Sequence, residues 1–124
     1  MRTHGAVFQM GPQTRVLQFA SYTFDSSLSD VLNTLIHGGC VCVISEEERM
    51  NNLAGAIRAA NVDYADLTPS VAATLHYSEV PMLKTVLLCG EAVQPAIIDR
   101  WAEHVRLFNC CALISYWTII FGHF

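Results

Sequence analysis

Arg15-Val16-Leu17-Gln18-Phe19-Ala20-Ser21-Tyr22-Thr23-Phe24-Asp25-Ser26-Ser27 is the stretch that decides the fold. Arg15 to Ala20 reads as a strand. From Leu28 onward Val31, Leu32, Leu35 and Ile36 follow with the spacing of one helical face. A strand that runs into Asp25 and then at once into a helix puts a carboxylate at the carboxyl edge of a sheet, where open α/β sheets bind ligands. An anion there answers a cationic group such as the ammonium of an amino acid. Asp25 is equally placed to cap the helix, and capping aspartates are the commoner kind.

Working outward, strand-like and helix-like periods alternate. Gly38-Gly39 closes the first helix, and Cys40 to Ile44 is a short apolar run of buried-strand length. Ser45 with Glu48 three residues on has the form of a capping box, which makes the Glu46-Glu47-Glu48 run structural. Met50, Leu53, Ala54 and Ile57 supply the next helical stripe, Asn61 ends it, and Val62 to Leu67 returns as a strand. Thr68-Pro69 is a helix start, because proline tolerates the first turn. Thr85 to Cys89 is a further strand and Gly90-Glu91 a tight turn. Val93, Ile97, Ile98 and Trp101 form another helix stripe, and Val105 to Asn109 is the last strand of the series. Such alternation predicts an α/β fold, a mostly parallel sheet with helices on its faces.

Composition narrows the function. The 124 residues are one domain or part of one, with 52% hydrophobic and 15% charged residues, apolar for a free-standing domain. A partner or further protein is expected to cover one face. Net charge −4 and a single lysine, Lys84, exclude a nucleic-acid partner. No basic segment followed by an apolar core opens the chain, so no signal peptide is expected. Cys40, Cys42, Cys89, Cys110 and Cys111 leave one thiol over under full pairing, with no C-x-x-C pair for a metal. Cys40 and Cys42 share a strand face and suit core packing as reduced thiols. A cytoplasmic location without a metal is the expectation.

The blocks RVLQFASYTFDSS, TLIHGGCVCVISEEERMNNLAGAI, LTPSVAATL, LKTVLLCGEAV and DRWAEHVRLFN closely resemble adenylation (AMP-binding) domains of fungal nonribosomal peptide synthetases. These are relatives of acyl-CoA synthetases and luciferases, which activate carboxylic acids with ATP as acyl-adenylates. The resemblance runs from about His4 to Asn109 or Cys110, and its F-D-x-S element is characteristic of the amino-acid-activating members. It implies part of the large amino-terminal region of such an enzyme, with ATP and Mg²⁺ as cofactors, an amino acid as substrate, and carrier and condensation domains as partners in the full synthetase.

The resemblance implies that Asp25 holds the substrate's α-ammonium and that Ser26, Ser29, Asp66, Leu87, Cys89 and Cys110 line the amino-acid pocket. Asp25, Leu87 and Cys89 sit at or near strand carboxyl ends and are expected to converge in one crevice. Asp66 either favours a polar or cationic substrate side chain or is an exposed strand-end carboxylate. Gly90-Glu91-Ala92 matches the family turn whose backbone lies against the adenine; glycine allows such close approach.

Other family elements are missing. At Asn109 the pattern N-x-Y-G-P-T-E would follow, but the chain reads Asn109-Cys110-Cys111-Ala112-Leu113. Residues 1–111 are therefore expected to be a partial adenylation domain and residues 112–124 an unrelated apolar tail, as from a truncated reading frame. The Ser/Thr/Gly-rich phosphate loop with its lysine would lie before Met1, and the ribose-binding aspartate and the lid lysine further downstream. Lys84, before a strand, does not substitute. No catalytic residue is assigned, and the fragment is expected to be inactive alone. The alternative is a small α/β binding or interaction module that pairs through an exposed sheet edge. A membrane anchor is not expected, since Ala112 to Phe121 falls short of the roughly 20 apolar residues a spanning helix needs.

Overall fold

The computed structural model describes residues 8–19, 25–110 and 117–121. Its strands are β1 (Arg15–Gln18), β2 (Cys40–Val43), β3 (Tyr64–Leu67), β4 (Thr85–Cys89), β5 (Arg106–Cys110) and β6 (Trp117–Phe121). They form one sheet in the order β2-β1-β3-β4-β5-β6. The first five run parallel; β6 joins β5 antiparallel. Between strands run α1 (Asp25–Ile36), α2 (Glu46–Asn51), α3 (Leu53–Ala60), α4 (Pro69–Thr74) and α5 (Pro95–Trp101), with a short 3₁₀ turn at Tyr77–Glu79. The α/β reading of the sequence holds.

Because β1 lies between β2 and β3, the chain leaves β1 in one direction along the sheet and leaves β3 in the other. The carboxyl ends of these two strands therefore flank the point where the winding reverses, the usual ligand crevice of such sheets. Leu17 pairs with Ala65, so Gln18 and Asp66 follow side by side on the same face.

The two faces are packed differently. One carries Leu17, Ala65, Leu67, Val86, Leu88 and Leu107 against Ile57 of α3, Ala72 of α4, and Ile97 and Trp101 of α5. The Trp101 indole N–H also reaches the Ala72 carbonyl at 3.2 Å. The opposite face carries Val16, Tyr64, Leu87 and Phe108, covered near the amino edge by Phe8, whose ring meets Phe108 edge-on at 4.7 Å. Toward the carboxyl edge that face becomes polar.

Local signals are realised in the expected chemistry. The Ser45 hydroxyl accepts from the Glu48 amide and the Glu48 carboxylate accepts from the Ser45 amide, both at 3.1 Å. Thr68 caps α4 with Pro69 in its first turn. Gly38 takes a φ of 77°, a conformation glycine adopts without strain, as α1 ends.

Three details depart from the sequence reading. The stripe Met50 to Ile57 is divided between two helices at Asn52, whose backbone leaves helical geometry at φ −149°. Cys40 is exposed while Cys42 is buried, because β2 is an edge strand and its first residue lacks cover. The largest departure is α1. Its apolar stripe of Leu28, Leu32, Leu35 and Ile36 faces outward, and Asp30, Asn33 and Thr34 are the residues it buries.

Candidate functional site: the carboxyl edge of β1, β3 and β4

Alternation along the parallel strands collects the sequence-assigned pocket positions. Asp66 pairs with Leu87 and Cys89 pairs with Cys110, so all four positions lie on the sheet face that carries Gln18. Leu87 is buried and Cys89 half-buried. Asp25 and Ser26 open α1, and Ser29 lies a turn further along. The side chains of Asp25, Ser26, Ser29 and Cys110 lie outside the described residues, so the capping and ammonium-binding roles weighed for Asp25 both do as well.

Asp66 is not an exposed strand-end carboxylate. Burial raises it to about pH 6, and a hydrogen bond from the Cys89 thiol partly opposes that rise. Beside it stands Asp30 of α1, raised to about 8 first by burial and then by the negative charge of Asp66. Gln18, Asn33 and Thr34 are buried with it, and the Thr34 hydroxyl donates to the Asp30 carbonyl one helical turn back. Sequence reasoning assigned none of Gln18, Asp30, Asn33 or Thr34. The available signal was the polar spacing Asp30, Asn33, Thr34, His37, a helical face in its own right.

The turn after β4 is pinned from outside the pocket. Gly90 has φ 88°, a backbone that glycine enters readily and other residues rarely. The Glu91 carboxylate accepts from the Ser70 amide at 3.1 Å and the Ser70 hydroxyl at 2.5 Å, at the start of α4. Gly90, Glu91 and Ala92 remain exposed.

A cavity of about 810 Å³ opens at the opposite, amino-terminal edge of the sheet, among Arg15, Asp63, Lys84 and Arg106. Its volume does not make it the site, since it lies across the sheet from the winding reversal and from the assigned pocket positions. Lys84 belongs to that edge. No three His, Cys, Asp or Glu side chains approach one another closely enough for a metal among the described residues. Nor is any helix among them long and apolar enough to cross a membrane.

This sheet, with its winding reversal between β1 and β3, has the fold of adenylation domains. The Vibrio cholerae adenylation domain AlmE, solved with glycyl-adenosine-5'-phosphate, superposes with a TM-score of 0.78 at 23% identity, over 90% of this chain and 22% of that one. The nonribosomal peptide synthetase FmoA3 superposes at 0.79 with 18% identity, over 98% of this chain and 15% of its own. In sequence, the AMP-binding enzyme family matches residues 1–118, and the chain belongs to that family.

Among fungal relatives, nonribosomal peptide synthetase inpB of Emericella nidulans is 53% identical over 106 residues, 86% of this chain and 5% of the relative. Nonribosomal peptide synthetase 4 of Gibberella zeae is 54% identical over 106 residues, again 86% of this chain and 1% of the relative. The chain thus spans a small part of the synthetases it matches.

Proposed function

We propose that the chain forms the amino-acid-recognition part of an ATP-dependent adenylating unit of nonribosomal peptide synthesis. The observation that carries this is the gathering of Asp66, Leu87, Cys89 and the Cys110 position on one sheet face toward the carboxyl ends of the strands. In this reading Asp25 at the head of α1 binds the α-ammonium, while Ser26, Ser29, Asp66, Leu87, Cys89 and Cys110 surround the side chain. The exposed Gly90-Glu91-Ala92 turn offers its backbone to the adenine of ATP. Glu91 contributes by fixing the turn through Ser70, which leaves the backbone as the contacting surface.

These elements bind and orient substrates. Adenylation also requires stabilising charge that develops on phosphate, and removing one preorganised group of that kind typically costs about 10²–10³ in rate. Within the 124 residues there is no Ser/Thr/Gly-rich loop with lysine and no G-P-T-E. Binding without transition-state stabilisation does not accelerate the reaction. The recognition part is residues 1–111, with residues 112–124 a separate apolar tail whose Trp117–Phe121 continues the sheet from β5. Carrier and condensation domains would act on the adenylate made by a complete unit, with ATP and Mg²⁺ supplied in the cytoplasm.

The test is amino-acid-dependent exchange of labelled pyrophosphate into ATP by the chain alone, run across the proteinogenic amino acids beside equilibrium dialysis of each one. Binding of at least one amino acid without exchange is the expected result. Exchange that survives repurification, or no binding of any amino acid, would contradict it.

A further inference from the structure

Asp30 of α1 is a buried carboxyl group whose neighbour in charge is the half-buried Asp66 of β3, and the pocket described above uses only Asp66. Asp30, on the second turn of α1, is 5% exposed. Its Oδ2 is buried with no hydrogen-bond partner among the described residues. Buried polar atoms are almost always partnered, so an orphaned carboxyl oxygen near the winding reversal of the sheet points to a group supplied by a ligand or to a retained proton.

Among the described side chains, the neighbouring elements bring no other charge to bear on Asp30. From α1 come neutral Asn33 and Thr34, with His37 a turn further on, its Nδ1 at 2.7 Å from the Asn33 carbonyl. From β1 comes Gln18, while Arg15 at the strand's far end donates its Nε–H to the Ala60 carbonyl at 2.7 Å. From β2, Cys42 turns its thiol toward Ala60 of α3. From β3 and β4 come Asp66 and Cys89. Among the described ionisable groups, the one whose charge acts on Asp30 is Asp66.

We propose that Asp30 is a positioning residue whose charge is coupled to that of Asp66, so that the pair presents an adjustable negative charge and selects an amino acid with a cationic side chain. This rests on the amino-acid reading above and adds to it a residue that the family pattern does not assign. Two adjacent carboxyls in low dielectric cannot both ionise freely, and they lose their protons in two separated steps. The raised positions of both groups, about 6 and about 8, fit that behaviour. Near neutral pH the pair holds one proton and one negative charge. An arriving ammonium favours the fully ionised pair, and the Asp30 proton leaves to solvent.

The experiment is equilibrium dialysis of the 124-residue chain against labelled L-lysine and L-norleucine between pH 5 and 9. The two probes have side chains of similar length and differ in charge. It is repeated with Asp30→Asn, Asp30→Glu and Asp66→Asn, each checked for folding by circular dichroism. The preference for L-lysine should climb in two steps, near pH 6 and near pH 8. Asp30→Asn should keep the lower step and lose the upper, reducing the preference at pH 9 by about tenfold, the equivalent of one pKa unit. Asp30→Glu should restore it, and Asp66→Asn should leave a single step below pH 8.

Amino-acid binding with no upper step in the parent chain, or with that step intact in Asp30→Asn, would overturn the role of Asp30 and leave the amino-acid reading standing. Absence of binding by either probe at every pH would overturn the role of Asp30, and absence of binding by every proteinogenic amino acid would overturn both. If Asp30→Asn fails to fold, Asp66→Asn decides: an unmoved Asp30 step refutes the coupling.

Discussion

On α1, Leu28 is 60% exposed and Asp30, two positions later, is 5% exposed. The helix lays its polar side on the sheet and turns its apolar side outward, the reverse of an ordinary surface helix. A buried polar face is what a binding crevice requires of the helix that borders it. The outward leucines call for cover that the described residues do not supply.

Self-association is the first expected consequence. Leu28, Leu32, Leu35 and Ile36 form a contiguous apolar stripe next to β2, an edge strand carrying neither proline nor charge. Sedimentation velocity of the chain should show concentration-dependent association and poor solubility. The double substitution Leu28→Gln with Leu35→Gln should suppress association with little loss of stability, since both side chains are already 60% exposed. A monodisperse monomer with a sharp cooperative melt would contradict this.

Stability should fall as pH rises from about 4 to 8. Asp30 and Asp66 are raised from 3.8 to about 8 and about 6, so in this window the folded chain keeps protons that the unfolded chain has released. Stability then decreases with pH, is fully present below the unfolded value, and is lost as pH climbs through the folded values. Asp30→Asn should relieve part of this loss, raising the melting temperature at pH 8 more than at pH 5. Equal changes at both pH values would show that Asp30 does not titrate as described.

Glu91→Ala should loosen the turn after β4 without disturbing the sheet. The substitution removes both acceptor contacts to Ser70 at the start of α4, and comparable helix-start contacts are worth about 1 kcal/mol. Urea unfolding should register a loss of that size, whereas Glu91→Gln should recover much of it. No change in either variant would place Glu91 in solvent.

The alternation of strands and helices was legible because buried parallel strands and helix starts carry strong local signals, such as Ser45 with Glu48 and Thr68 with Pro69. The grouping of Asp66, Leu87 and Cys89 was legible through the resemblance. Which face α1 buries was not legible, because periodicity locates an apolar stripe without saying what covers it. Asp30 was missed for that reason: it lies on the side that an ordinary amphipathic helix gives to solvent. The break at Asn52 had no glycine or proline to announce it.

We propose that this chain contributes an amino-acid site at the carboxyl edge of its sheet, with Asp25 as the ammonium's partner. The most direct measurement places residues 1–111 in the matching segment of a fungal adenylation domain about half identical to it and follows amino-acid-dependent pyrophosphate exchange. The graft should adenylate with an amino-acid preference set by the inserted residues. Asp25→Ala within it should depress that exchange far more than ATP binding. A folded, ATP-binding graft that keeps the host's preference, or one in which Asp25→Ala weakens exchange and ATP binding equally alongside a stability loss of about 1 kcal/mol, as for a helix cap, would contradict the claim.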